Sequence, residues 1–249
     1  MELYLVRHGE TSANLGLDCS HETRLTPVGL EQADYLGRSL KNVHFDRIYA
    51  SNMPRAVQTA AGVAKYQPGT PEIIIVPELA ERDTPWDWEP DVEFQRTVYP
   101  NLVYLGTKMA RRYPGDAERA ADVLQRLVYD PAYKEATEVT MHHETEIRSN
   151  PQKILIVCHC AFNGYLLSDL IGFRFDVNVN IAQHNTCVNR MRLFLCKRSG
   201  NRSFRFPPSF CMRHVFRFQS LTVNWKAFLL GKSWHRYRRR FEKPWINWE

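Results

Sequence analysis

The chain has 249 residues, 44% hydrophobic and 24% charged, which suits a globular protein of one large or two small domains. No apolar run reaches the roughly 18 to 20 residues that cross a bilayer, the first predicted strand opens at Glu2 and leaves no room for a signal peptide, and six irregularly spaced cysteines make no disulfide framework, so a reduced, cytoplasmic protein is expected. The net charge of +6 hides an asymmetry: thirteen of the 33 Lys and Arg, but two of the 27 acids, lie in residues 197–249, and in the mildly acidic body any pull on an anion must come from particular arginines.

Residues 2–6 are predicted as a strand buried on both faces. It runs into Arg7-His8-Gly9-Glu10-Thr11. A histidine placed there is set up to attack phosphorus. The strand fixes the ring, the arginine brings a permanent positive charge, and the glycine lets a phosphoryl group approach the backbone. Thr26-Pro27 reads as an N-cap followed by the first helical position. Leu30, Ala33, Leu36 or Gly37, and Leu40 then form the apolar stripe of a helix to about residue 41. A second strand is predicted at 45–51, a second helix at 54–65 and a third strand at Ile73–Val76. This alternation signals a parallel sheet covered on both faces.

The rhythm breaks over residues 83–150. Helices are predicted at 96–113 and 116–129, separated by Pro114-Gly115, as a helical insertion over the sheet edge where a substrate lid would sit. An apolar strand returns at Lys153–Cys158, a helix follows at 161–171, and residues 186–196 and 213–219 are the last predicted strands. The expected fold is α/β, a three-layer α/β/α sandwich with a mostly parallel central sheet. One domain would span 1–224 and a basic aromatic tail 225–249.

Three further segments fall at the carboxyl ends of predicted strands, where open α/β sheets bind ligands. SNMPRAVQTA puts Arg55 at the start of a helix, PELAERD offers Glu78 and Glu81, and IVCHCAFNG puts His159 just beyond the apolar strand. Taken singly, each is also what a solvated loop or a structural histidine would look like. Their order is more specific: RHGET, then S-x-x-x-R-A-x-Q-T-A, then L-x-E, then an apolar strand ending in His. In these motifs the chain resembles the histidine phosphatase superfamily, also called the phosphoglycerate mutase-like family, from residue 2 to about 189. RLTPVGLEQADYLGRSL resembles the family's first helix, and HNTCV at 184–188 the entry to a late strand.

The resemblance implies a metal-independent phosphatase without a cofactor, acting on a small phosphorylated substrate. His8 would be the nucleophile, forming a phosphohistidine. Arg7, Arg55 and His159 would surround the phosphoryl oxygens, with Asn14 a further donor and the backbone N–H of Cys160 a contact. Glu81 would protonate the leaving oxygen and then activate water. His8 must attack as a neutral ring whose other N–H is held, a backbone carbonyl being a common partner, and His159 is expected to be most useful protonated. The chain departs from the pattern at Arg82-Asp83-Thr84-Pro85, where related phosphatases usually have glycine and a short W-E-G-like segment; Trp86, Trp88 and Glu89 resemble it loosely. Cys160 also replaces a usual glycine, and residues beyond about 197 have no evident counterpart.

Two rival readings remain at this level. Mutase-type transfer between positions of a phosphorylated acid would need basic residues in the insertion; Lys108, Arg111 and Arg112 qualify by type, although helical spacing makes a solvated face equally suitable. WHRYRRRFEKPW at 234–245 interleaves arginines with aromatics, so the chain could instead be a binding module for nucleic acid or an anionic membrane surface. Cys158-His159-Cys160 and His142-His143-Glu144 lack the paired spacing of a zinc site.

Overall fold

The computed structural model describes residues 1–17, 20–129, 152–171, 183–193 and 219–221. Its elements in chain order are β1 (Glu2–Arg7), α1 (Pro27–Leu40), β2 (Arg47–Ser51), α2 (Pro54–Ala64), β3 (Ile73–Val76), α3 (Val92–Val98), β4 (Leu102–Tyr104), α4 (Asp116–Leu124), β5 (Lys153–Cys158), α5 (Cys160–Ile171), β6 (Val188–Arg192) and β7 (Gln219–Leu221). The seven strands form one sheet in the order β4-β3-β2-β5-β1-β6-β7. The first five are mutually parallel, while β6 and β7 run antiparallel to their neighbours.

Alternation along the strands builds the three layers. On one face Tyr4, Val6, Ile48, Ala50, Leu155 and Val157 pack against Leu36 and Leu40 of α1 and Ala56, Val57, Ala60 and Val63 of α2. On the other, Leu3, Leu5, Ile154 and Ile156 pack against Val123 and Leu124 of α4 and Phe162, Leu166 and Leu170 of α5. Both faces are therefore apolar, as a parallel sheet between helices requires. Along α1, Leu30 is exposed rather than part of the apolar stripe, and Gln32 is the buried residue of that turn.

Thr26 caps α1 as its sequence indicated: its Oγ1 accepts from Gly29 N–H at 3.0 Å and donates to Glu10 at 2.8 Å. The helix thereby meets the loop that follows β1. A Cβ on Gly9 would lie 2.6 Å from the Gly29 carbonyl oxygen, and one on Gly29 would lie 2.1 Å from that of Glu10. Both glycines are needed for the two backbones to come this close.

The insertion is less helical than its sequence suggested. Instead of a helix over 96–113, α3 stops at Val98, ahead of Pro100, and residues 102–104 join the sheet edge as β4 beside β3. Asp91 caps α3, accepting from Phe94 N–H at 3.0 Å. Residues 116–129 are helical, α4 passing into a π-turn over Gln125–Tyr129. Gln219–Leu221 form β7, while residues 213–218 of the strand predicted at 213–219 lie outside the described residues. Residues 130–150, including His142, His143 and Glu144, and the tail at 225–249 lie outside the described residues. No helix among those described is long and apolar enough to cross a membrane.

Candidate active site

Three adjacent strands, β2, β5 and β1, end on the same edge of the sheet. Arg7 is in register with Cys158, and His8 N–H donates to the Cys158 carbonyl at 3.0 Å. The next residues along each strand, His8 and His159, stand side by side with ring centroids 5.2 Å apart. They are 151 residues apart in sequence, and parallel pairing alone brings them together.

The His8 ring is fixed by its own chain. Nδ1 lies 2.7 Å from the Gly9 carbonyl oxygen, an acceptor, so Nδ1 carries the proton and Nε2 presents a lone pair. Gly9 is held in turn: its N–H donates to Thr59 Oγ1 at 3.1 Å, and that hydroxyl donates to the Arg55 carbonyl at 2.7 Å. Burial, with the positive charges of Arg55 and Arg7 adding to it, holds His8 well below the usual histidine range. The ring is held neutral.

His159 is fully buried, and its Nε2 lies 2.8 Å from Ser51 Oγ. Burial holds this ring too well below the usual range, with Arg55, His8, Arg119 and Arg7 acting in the same direction. Three guanidinium groups and a second imidazole face a ring cut off from water, so a further positive charge is unfavourable there unless an anion lies beside it, the setting in which a protonated His159 is expected. His159 Nδ1 and Arg7 Nε are buried without a hydrogen-bond partner among the described residues.

The arginines are anchored through the backbone. Arg7 Nη1 donates to the Gln183 carbonyl. Arg55 Nη1 donates to the His21 carbonyl at 3.2 Å, and its Nη2 lies 2.9 Å from Met53 Sδ. Glu81 follows β3, and its carboxylate accepts from Phe162 N–H at 3.0 Å in the first turn of α5 and from Arg82 N–H at 2.9 Å. Its carboxylate thus stands at the N-terminus of the helix that His159 precedes.

Asn14 is held through its carbonyl oxygen, and the donor role expected of it belongs to its Nδ2. Its Oδ1 accepts from Thr11 N–H at 2.9 Å and from Asn185 Nδ2 at 3.0 Å, so it braces the loop after β1. Cys160 opens α5, and its thiol lies 4.0 Å from the Gln183 carbonyl that Arg7 also uses. Because the strand ends at Cys158, alternation along a strand does not describe residues 158–160. Among the described residues no three His, Cys, Asp or Glu side chains gather as a metal site would require.

Four contributors were not identified from sequence as functional. Ser51 holds His159. Asn185 Nδ2 donates to the His8 carbonyl at 3.3 Å as well as to Asn14, and Thr186 N–H donates to the Arg7 carbonyl at 3.1 Å. Thr186 does so from a left-handed conformation, φ 54°, which a β-branched residue adopts only under constraint from its surroundings. The buried Arg119 donates to the Glu81 carbonyl at 3.2 Å and to Asp116 at 2.6 Å, with its guanidinium 4.0 Å above the Phe162 ring. The available signal was its position, beside Ala120 and one turn before Val123 on the apolar stripe of α4. Arg119 also lines a cavity of about 530 Å³ with Asp83, Thr84, Trp86, Met109, Arg112 and Tyr113.

Comparison with known proteins agrees with this geometry. The model of the histidine phosphatase superfamily (branch 1) matches residues 3–200. An adenosylcobalamin/alpha-ribazole phosphatase of Salmonella typhi is 45% identical over 91 residues, covering 36% of this chain and 44% of that protein. Fructose-2,6-bisphosphatase TIGAR B of Danio rerio is 38% identical over 89 residues, covering 32% of this chain and 33% of that protein. The chain spans less than half the length of these curated relatives. The solved alpha-ribazole phosphatase of Shigella flexneri aligns with a TM-score of 0.51 at 25% identity, over 78% of this chain and 91% of that one.

Proposed function

The chain belongs to the histidine phosphatase superfamily, and we propose that it hydrolyses phosphate monoesters through a phosphohistidine on His8, with no metal taking part. One observation carries the reading: a neutral His8, its Nδ1–H given to Gly9, stands 5.2 Å from His159 under the positive field of Arg7 and Arg55. His8 Nε2 attacks phosphorus, and the P–N bond forms as the ester P–O bond breaks. Glu81 gives its proton to the departing oxygen. Water then attacks phosphorus and returns a proton to Glu81, the P–N bond breaks, and inorganic phosphate leaves with the ring as it began. Arg7 and Arg55 hold fixed charge where the equatorial oxygens develop theirs, in a site that excludes water.

We place the leaving group toward Arg119, which donates to the Glu81 carbonyl and lines the neighbouring cavity, so that residues 84–86 and 109–119 would set selectivity. Hydrolysis is favoured over mutase transfer because two of the three basic residues a mutase would use are committed. Lys108 pairs with Glu89 at 3.1 Å and Arg111 with Asp122 at 3.0 Å. The test is a panel of monoesters assayed for phosphate release, with acid-quenched samples examined for phosphohistidine. His8→Ala is expected to abolish both signals. Unchanged turnover in that variant, or label on another residue, would overturn the mechanism, and interconversion of phosphoglycerates without net release would favour the mutase.

A further inference from the structure

His159 raises a chemical difficulty that the structure itself resolves. A neutral imidazole helps a phosphoryl oxygen only from its protonated nitrogen; from the other it presents a lone pair to an anion. Nε2 is taken by Ser51, so Nδ1 is the one ring nitrogen left to meet a ligand. The tautomer therefore decides whether His159 assists or opposes the anion.

We propose that Ser51 is a positioning residue that locks His159 in the Nδ1–H tautomer, so that the ring turns a donor toward the phosphoryl group. The argument is a count of hydrogens. Ser51 Oγ accepts from Met53 N–H at 3.2 Å and lies 2.8 Å from His159 Nε2. If Ser51 gives its hydroxyl hydrogen to Nε2, both serine contacts are satisfied and Nδ1–H is the one group still seeking a partner. In the reverse arrangement Nε2–H donates to Ser51. The serine hydrogen then has no acceptor among the described residues, and the Nδ1 lone pair is left over as well. Ser51 and His159 are both fully buried, so an extra unmatched hydrogen is costly. The charged and titratable groups facing the ring are Arg7 at the end of β1, His8 just beyond it, Arg55 on α2 and Arg119 on α4. All are cationic or neutral, which favours the uncharged ring and makes its tautomer consequential.

This inference rests on the proposed phosphatase reading for its purpose, but its test does not depend on activity. Long-range proton–nitrogen spectra of the full chain labelled with ¹⁵N-histidine, assigned with His159→Gln, report which nitrogen carries hydrogen. Near neutral pH, Nδ1 is expected to be protonated and Nε2 bare. Ser51→Ala should shift both nitrogens toward a tautomer mixture and lower kcat on the order of tenfold to a hundredfold, as loss of a group orienting an imidazole does elsewhere. Ser51→Thr keeps the hydroxyl and should restore both the spectrum and most of the rate. Protonated Nε2 in the unaltered chain would overturn the proposal even if no Ser51 variant folds, as would a Ser51→Ala protein with unchanged spectrum and rate. A chain inactive on every monoester but with the Nδ1–H signature would remove the phosphatase reading and leave the tautomer assignment standing.

Discussion

Acidification should destabilise this fold through its two site histidines, and the size of the effect can be worked out. Burial and the neighbouring arginines hold His8 and His159 well below the ordinary histidine range in the folded chain. In the unfolded chain each titrates near its usual value of about 6.5. The folded values are the lower ones, so between them and 6.5 the unfolded state binds more protons. Stability is then fully present above about pH 6.5 and is lost as pH falls toward the folded values. From about pH 7 to about pH 5.5, protonation favours each unfolded histidine by about 1.3 kcal/mol, so the pair removes about 2.5 kcal/mol. Urea denaturation of the unaltered chain and of His8→Gln/His159→Gln at the two pH values isolates this contribution, because other titrating groups are common to both. The buffer must lack phosphate, since an anion bound to the native state would add its own stabilisation. The double variant should lose about 2.5 kcal/mol less on acidification. Equal losses would mean that the imidazoles are solvated or charged in the folded protein, and the neutral nucleophile would go with them.

Two substitutions probe other links. Glu81→Gln keeps a carbonyl oxygen for the Phe162 N–H but has no proton to give. Its kcat on alkyl phosphates should fall roughly 10²- to 10⁴-fold, and clearly less on p-nitrophenyl phosphate, whose leaving group needs no acid; equal falls on the two would assign Glu81 a structural role. Gly37→Ala tests the contact of α1 with α2, where a Cβ would lie 2.1 Å from the Gly62 carbonyl oxygen and 2.6 Å from the Tyr66 ring. Because a carbonyl cannot swing aside as a side-chain tip can, a loss of about 2 to 3 kcal/mol in urea denaturation is expected. Wild-type stability in that variant would contradict the packing.

The parts of the molecule legible in sequence are those where one local pattern determines the outcome. Thr26-Pro27 starts α1 because cap chemistry is local. The strands at 2–6 and 153–158 read clearly because a strand covered on both faces is apolar throughout. Even the partner of His8 Nδ1 could be anticipated, since a residue at a strand end has backbone carbonyls within reach, and Gly9 supplies one. Strand β4 escaped for the opposite reason. Its three residues lie at the sheet edge, none of them fully buried, so neither alternation nor an apolar run marks it. For His159 the need of a phosphate is visible in the motif, while the burial of the ring is not. The contact of the Asn14 carbonyl with Asn185 spans 171 residues and so leaves no local mark in the sequence.

One segment explains why the site tolerates so little freedom. Ser51, Arg55 and Thr59 all lie within SNMPRAVQTA, and between them they fix the ring of His159, supply a guanidinium and hold the N–H of Gly9, whose carbonyl fixes His8. The turn from β2 into α2 therefore sets both imidazoles with one piece of backbone, in which Ser51, Asn52 and Met53 are all buried. A shift of that turn would move nucleophile, charge and second histidine together. The spacing from Ser to Arg to Thr is then a mechanical requirement. The serine must end the strand, the arginine must open the helix, and the threonine must lie one turn further on, over the loop it holds.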